Sequence, residues 1–351
     1  MAERMLMKGN EALAEGAVRA GCRFFAGYPI TPQNEVPEYM SWRLPEVGGT
    51  FIQAESEVAA INMLYGASAC GARVMTSSSG PGISLKQEGI SYTSSAELPI
   101  FYASVVRGGP GLGNIAPSQG DYFQSTRGGG HGDYRVVVLA PNSVNEMGNF
   151  PRMCYEIAER YRICTMILAD GLLGQMMEPI IYDFDPIDPE KFTPKDYTLG
   201  IQDGRPRRVV RSYDLRPGYM EKHVWKLMEK YKKVEENEVR YEATMLDDAE
   251  LLIVAYGTAS RVSKAAMTLA RKENLKVGLL RPITLWPFPM QVLNDLASGL
   301  KKILVVEMSA GQMIEDVKLA IEGKAEVFFH GRPAGAIPTE GEVLDVIKKI
   351  C

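Results

Sequence analysis

The feature that most constrains this chain is an alternation, repeated in two blocks, of short apolar runs with amphipathic stretches. In the first block CRFFAGY (22–28) and TFIQAE (50–55) read as buried strands. SEVAAINMLYGASAC (56–70) carries Val58, Ile61, Leu64 and Tyr65 at helical spacing, and Gly71 follows as a stop. The pattern continues through strand ARVMTSSS (72–79), helix ISLKQEGISYTSSAE (83–97), strand LPIFYASVV (98–106), strand YRVVVLA (134–140), helix VNEMGNFPRMCYEIAERY (144–161) and strand RICTMILA (162–169). It lapses from Asp183 to Glu242, where DFDPIDPEKFTPKDY is rich in proline and acid and GYMEKHVWKLMEKYKKVEENE (218–238) reads as an exposed amphipathic helix. It resumes with LLIVAYG (251–257) and runs to AEVFFHG (325–331). Such alternation implies a mostly parallel sheet covered on both faces. The expectation is a parallel-sheet α/β domain over residues 1–182, a connector with an amphipathic helix over 183–245, and a smaller α/β domain over 246–351.

Bulk properties remove several functional classes. With 351 residues, 46% hydrophobic and 23% charged, the chain has material for two cores. A net charge of −4 argues against a nucleic-acid surface, which needs clustered Lys and Arg. The short basic runs RPRRVVR (205–211) and KLMEKYKK (226–233) are followed by acids and read as solvated faces. Five cysteines (Cys22, Cys70, Cys154, Cys164, Cys351) lie far apart with no C-x-x-C, the pattern of reduced thiols in a cytoplasm. Neither they nor His131, His223 and His330 have the spacing of a zinc or iron–sulfur cage. No stretch approaches the roughly 18 apolar residues of a membrane span, and the acid-bearing N-terminus lacks a signal-peptide core.

Four clusters fall at expected C-terminal ends of strands: GYPITP (27–32), QAESE (53–57), TSSSGPG (76–82) and VVRGGPGLGN (105–114). That edge is where open α/β sheets bind ligands. Thr31 before Pro32 has the form of a helix start, a hydroxyl cap and a first-turn proline, with Pro37 delaying or kinking the helix. An ordinary strand–helix turn reads the same way. Glu57 is either a first-turn acid favoured by the helix dipole or a functional carboxylate. TSSSGPG offers hydroxyls and backbone N–H groups at the sheet edge, or only a turn. Arg107 is a permanent cation beside glycines that let backbone approach a ligand. No Walker A, strand–GxGxxG–helix unit or GxSxG elbow is present, so a nicotinamide dehydrogenase is poorly supported.

In this order, GYPITP, ESEVAA, TSSSGPGISL, ELPI and RGGPGLG resemble the α subunits of 2-oxoacid:ferredoxin oxidoreductases, thiamine-diphosphate enzymes of anaerobes. PSQGDYFQSTRGGGHGDYRVVVLAP (117–141) and MILADGLLGQMMEP (166–179) are most similar to the branch acting on 3-methyl-2-oxobutanoate. LLRPITLWPFP (279–289) and VVEMSAGQM (305–313) resemble the family's transketolase C-terminal-like domain, so the likeness covers nearly the whole chain. It implies that the first domain is of the pyrimidine type. Glu57, rather than Glu55, matches the glutamate that hydrogen-bonds the cofactor's pyrimidine and favours the imino form, whose nitrogen ionises the reactive carbon. Arg107 matches the substrate-facing arginine, suited to pair bidentately with a 2-oxoacid carboxylate. Thr31 matches the threonine that holds that carboxylate or the enamine oxygen. Tyr28, Pro29, Ile30, Ser77, Ser78, Ser79 and Gly80 fall near the cofactor. His131 and Asp133 either face the substrate or lie in a surface loop. One departure is SYTSSAELP, polar at Thr93–Ser95 where apolar residues are expected; it bears on helix packing.

The implied activity is oxidative decarboxylation of 3-methyl-2-oxobutanoate, with coenzyme A as co-substrate, to acyl-CoA, CO2 and reduced ferredoxin. The alternatives are the same chemistry on 2-oxoglutarate or another 2-oxoacid, a non-catalytic scaffold, and a stand-alone phosphate-binding module. The family's diphosphate anchor, Gly-Asp-Gly with a later Asn, is missing; only ADG (169–171) and QDG (202–204) occur, and no metal ligand is assigned here. The resemblance therefore implies a split site. A β subunit would bring diphosphate and Mg²⁺, and a ferredoxin-like δ subunit would carry [4Fe–4S] clusters and pass electrons to ferredoxin. With a γ subunit these would form a cytoplasmic dimer of heteromers, leaving an apolar docking surface on this chain.

Overall fold

Apolar runs without a polar face become the inner strands of two parallel sheets. The structure, a computed structural model, describes residues 4–192, 195–200 and 206–351. In chain order its helices and strands begin with β1 (Met5–Lys8), α1 (Gly9–Arg19), β2 (Phe24–Gly27), α2 (Glu35–Glu46), β3 (Thr50–Gln53), α3 (Glu57–Ala69), β4 (Val74–Ser78) and α4 (Gly80–Ser95). Next come β5 (Phe101–Val106), α5 (Tyr122–Thr126), β6 (Val137–Leu139), α6 (Val144–Tyr161), β7 (Thr165–Asp170), α7 (Gly171–Gln175), β8 (Met177–Ile180) and the long α8 (Tyr219–Asn237). The remainder is β9 (Tyr241–Thr244), β10 (Leu251–Val254), α9 (Gly257–Lys272), β11 (Val277–Pro282), β12 (Thr284–Trp286), α10 (Met290–Ala297), β13 (Lys302–Glu307), α11 (Met313–Ile321), β14 (Glu326–Gly331) and α12 (Glu340–Ile350).

The first sheet has seven strands in the order β12-β6-β7-β5-β4-β2-β3, parallel throughout except for β12. Every residue of β4, β5 and β7 is buried, as both covered faces require. On one face Phe25, Met75, Phe101 and Ile167 meet Leu13 of α1, Val36 and Met40 of α2, and Met147 and Tyr155 of α6. On the other Ala26, Val74, Tyr102 and Met166 meet Ala60, Ile61 and Leu64 of α3 and Ile83 and Ile90 of α4. The second sheet runs β14-β13-β10-β11-β9, with β9 antiparallel at its edge. After β11 the chain crosses back, and β12 pairs with β6, stitching the two sheets together.

This winding positions the site. β2 and β4 are neighbours, yet α2 leaves β2 toward one face and α4 leaves β4 toward the other. Between their C-terminal ends lies the topological switch point, where such sheets open a crevice.

Local departures from expectation have local causes. Helix α2 starts at Glu35, so Thr31 is not its cap; the preceding carbonyls are taken by side chains, and Pro37 sits in the first turn, where no N–H is needed. Helix α4 already starts at Gly80, making GPG its first turn, with Pro81 pre-set for that position. The polar Thr93 and Ser94 are satisfied in place, donating to Gly89 O (2.6 Å) and Cys164 Sγ (3.6 Å). β1 and β8 form a separate antiparallel pair that four-residue strands are too short to announce. QDG (202–204), Arg205 of RPRRVVR and Thr193–Pro194 of the proline-rich stretch lie outside the described residues.

Candidate active site

After β2 the backbone abandons its ladder, and its carbonyls need other donors. Gln33 Nε2 donates to Tyr28 O (3.4 Å) and Arg107 Nη1 to Thr31 O (3.1 Å). Pro32 O accepts from both Asn10 Nδ2 (2.8 Å) and Gln175 Nε2 (3.1 Å). Gln33 is fully buried, and its Oε1 accepts from Ser77 Oγ, pinning this loop to β4. The outcome is a rigid turn presenting Tyr28, Pro29 and Thr31 at the surface, with Ile30 half-buried. Thr31 Oγ1 accepts only a long bond from Asn34 Nδ2 (3.4 Å).

Across the crevice, Ser56 caps α3, its hydroxyl accepting from Ala59 N (3.2 Å), which makes Glu57 the first helical residue and turns it inward. Glu57 is 5% exposed, whereas Glu55 on the opposite side of the chain is exposed. Among the described residues none donates a hydrogen bond to the Glu57 carboxylate. The carboxylate rests on the first turn of α4: a methyl group on Gly82 would come within 2.5 Å of Glu57 Oε1 and 2.1 Å of Ser78 Oγ. Glycine at 82 is what lets acid and hydroxyl lie there together. One helical turn further Lys86 is fully buried with no partner for Nζ, and burial pulls its ammonium down to about 8 while Glu57 opposes the shift. The hydroxyls of Thr76, Ser78, Ser79 and Ser104 are likewise enclosed and unpartnered.

Arg107, at the end of β5, is 8% exposed. Besides Thr31 O, its Nη2 holds Leu112 O (3.0 Å), while Nε is enclosed and free. The guanidinium thus fastens two loops with two of its five N–H groups and keeps the others. The Gly108–Asn114 turn closes so tightly that a Cβ on Gly113, at φ 63°, would strike Gly108 O at 1.7 Å. Asp121 faces the same spot: a Cβ on Gly80 would lie 3.8 Å from Arg107 Cγ and 4.0 Å from Asp121 Oδ2.

Burial pushes the Asp121 carboxyl up to about 6 from 3.8, with Arg107 pulling against it. A raised acid is a destabilising anion once ionised; the burden appears as pH rises from about 4 to about 6 and is complete above that. Asp121→Asn is therefore expected to be more stable than wild type at pH 7.5, by up to about 3 kcal/mol, with no advantage below pH 4. Thermal unfolding at the two pH values checks this.

Thr31, Glu57, Ser77, Ser78, Ser79, Gly80 and Arg107 thus stand at the C-terminal ends of four neighbouring strands, β2, β3, β4 and β5. His131 and Asp133 do not. These are exposed beyond the C-terminal half of α4, where Ser91 Oγ donates to His131 O (2.7 Å) and α8 packs nearby. Asp170 of ADG is spent as the cap of α7, accepting from Leu172 N (3.0 Å) and Leu173 N (3.1 Å). Arg127 is tied to Glu315 and Asp316 (both 3.0 Å). Sequence reasoning missed Gln33, Lys86 and Asp121. Only Lys86 had a signal, a charge on the apolar stripe of Ile83 and Ile90, four residues after Gly82.

Glu57 receives no hydrogen bond from a described residue and rests over Gly82 beside the enclosed, unpartnered hydroxyl of Ser78. A carboxylate so placed can accept from a protonated partner brought in from outside these residues. Arg107 is a cation with N–H groups beyond the two it uses.

Comparison with known proteins identifies the family. Residues 15–242 match the family model "pyruvate flavodoxin/ferredoxin oxidoreductase, thiamine diphosphate-binding", and residues 249–343 match "pyruvate:ferredoxin oxidoreductase core domain II". The ketoisovalerate oxidoreductase subunit VorB of Methanothermobacter thermautotrophicus is 48% identical over 98% of this chain and 97% of its own. The 2-oxoglutarate synthase subunit KorA of Methanocaldococcus jannaschii is 38% identical over 94% of this chain and 95% of its own. Among solved structures, 2-oxoglutarate:ferredoxin oxidoreductase from Magnetococcus marinus, with 2-oxoglutarate, coenzyme A and succinyl-CoA bound, superposes with a TM-score of 0.86 at 26% identity. That match covers 99% of this chain but 65% of the larger one. The inactive β4 tetramer of a split-gene transketolase shares the fold, with a TM-score of 0.61 at 14% identity over 98% of this chain and 97% of its own. With both family domains present in order and near-full-length relatives at this identity, the chain belongs to the 2-oxoacid:ferredoxin oxidoreductase family, as an alpha-type subunit.

Proposed function

We propose that this chain is the pyrimidine-side catalytic subunit of a thiamine-diphosphate-dependent oxidoreductase that decarboxylates 3-methyl-2-oxobutanoate oxidatively, with coenzyme A as acceptor of the acyl group. One observation carries the reading: the Glu57 side chain, nearly buried and given no hydrogen bond by any described residue, lies against Gly82 in the first turn of α4, beside the switch point. Thiamine diphosphate, when bound, supplies a carbon nucleophile whose acidity depends on the imino form of its own pyrimidine. Glu57 would hold the proton shared with the pyrimidine ring nitrogen. Arg107 would orient the 2-oxoacid carboxylate through its remaining N–H groups, and Thr31 would donate its hydroxyl to the same substrate. Ser77 fixes the Tyr28–Pro32 turn through Gln33, while Ser78, Ser79 and Gly80 border the cofactor face.

Thr31 tests the placement cheaply. Its side chain is exposed and nearly unbonded, so Thr31→Ala should lower kcat/KM about tenfold, the loss of one hydrogen bond to a charged group, while the unfolding midpoint stays put. Steady-state kinetics beside a melting curve separates the two readouts, and an equal loss in both returns Thr31 to a structural role.

The branched substrate is favoured over 2-oxoglutarate on two grounds. The two relatives named ketoisovalerate oxidoreductase subunit VorB are 48% and 49% identical, above the KorA subunits. A second substrate carboxylate also needs a second cation. Arg127 is paired with acids, and Arg135 donates to Tyr134 O (3.1 Å); both line a separate groove of about 970 Å³ with Trp286 and Phe288. On the assembled complex kcat/KM for 3-methyl-2-oxobutanoate should exceed that for 2-oxoglutarate by at least about 100-fold. The reverse order would reassign the substrate and leave the chemistry standing.

The relatives' names as subunits speak for a multi-subunit enzyme. Tyr28, Val58, Leu85, Leu112 and Ile115 are large apolar side chains left exposed on or beside the site's own segments, which supports closure by another polypeptide. In our reading a β subunit brings diphosphate and Mg²⁺ to this edge, and a γ subunit and a ferredoxin-like δ subunit with [4Fe–4S] clusters complete the path to ferredoxin.

A further inference from the structure

One buried charge remains without a task. Lys86 is fully enclosed, and no described residue bonds its Nζ. Lysine is rarely buried this deeply unless a counter-charge holds it. Its neighbours on the buried stripe of α4, Ile83 and Ile90, are apolar, and β5 contributes only Tyr102 among ionisable groups. The acid whose field reaches it is Glu57, which lies on Gly82 one helical turn away along the same face. No hydrogen bond joins the two, so Lys86 does not consume the carboxylate.

We propose that Lys86 is a positioning residue for cofactor activation, its ammonium keeping Glu57 a carboxylate so that the proton in the Glu57–pyrimidine bond resides on the ring nitrogen. This rests on the proposed function. Electrostatics supplies the direction: a cation near the acid stabilises the state in which the acid is negative and the proton lies on its partner. A protonated pyrimidine nitrogen is what favours the imino form. Without the cation that preference weakens, and the ring is left less activated. Nothing is oxidised or reduced in this step; one proton changes its resident atom.

The assembled complex, loaded with thiamine diphosphate, provides a direct readout in deuterium exchange at the cofactor's reactive carbon, followed by quench and NMR. Lys86→Met should slow that exchange about tenfold, equivalent to one pKa unit of interaction between the two charges. A second measurement uses the cofactor-free complex in a double-mutant cycle. Glu57→Gln and Lys86→Met should each lower the unfolding midpoint by stranding a buried charge, while the double variant should return to the wild-type value or above. Exchange at the wild-type rate in Lys86→Met, or additive losses in the cycle, overturns the role of Lys86. Wild-type exchange in Glu57→Gln would instead overturn the function on which it rests.

Discussion

Glu57→Gln is expected to abolish most 2-oxoacid-dependent acceptor reduction by the assembled complex, lowering kcat by about 10²- to 10⁴-fold, the range of a lost positioned acid–base group. The amide keeps the shape but cannot hold the shared proton. Subunit assembly and secondary structure should survive, because Ser56, not Glu57, caps α3, and no hydrogen bond within the described chain depends on the carboxylate. Glu55→Gln is the control: that side chain is exposed two residues away, and its loss should leave activity unchanged. A scaffold subunit would show no difference between the two variants. Acceptor reduction assayed with saturating coenzyme A and cofactor reads the outcome directly.

Much of the fold was legible because its strands are fully buried runs. Phe101–Val106 and Thr165–Asp170 have no solvated face, so composition alone marked them, and Gly71 marked the end of the helix before β4. Glu57's place where an apolar helix meets a strand was legible, but position alone left it between a dipole-favoured acid and a functional one, and only the resemblance chose; its inward turn follows from the Ser56 cap. What stayed hidden depends on long-range contacts. Nothing local says that Gln33 reaches Ser77 on the neighbouring strand. Nor does the sequence show that Asp121, fourteen residues after Arg107, returns to face it over Gly80. Pro37 had signalled a late start or a kink of α2, and what decides for the late start is again long-range. Thr31 and Pro32 carry the local signature of a helix start, yet Asn10, Arg107 and Gln175, from three other segments, take the carbonyls at 31 and 32. Tertiary donors outbid local propensity there.

Arg107→Lys keeps the charge and should still cost the enzyme most of its specificity constant. The guanidinium bonds Thr31 O and Leu112 O at the same time, and its enclosed Nε has no partner among the described residues. A lysine ammonium is a point with three donors on a flexible stem, and it cannot span two carbonyls on opposite sides and a substrate carboxylate together. Losing two charge-assisted bonds, at about 1.5–3 kcal/mol each, predicts a fall in kcat/KM of about 10²- to 10⁴-fold, mostly through KM. Amide hydrogen exchange should rise in both loops, at 28–33 and at 108–116, because each loses its fastening. If the specificity constant collapses while exchange is unchanged, Arg107 serves the substrate alone; if exchange rises while kinetics hold, it is only a loop clamp. On the proposed function both results are expected together, since the side chain that bonds Thr31 O and Leu112 O is also the one proposed to receive the substrate carboxylate.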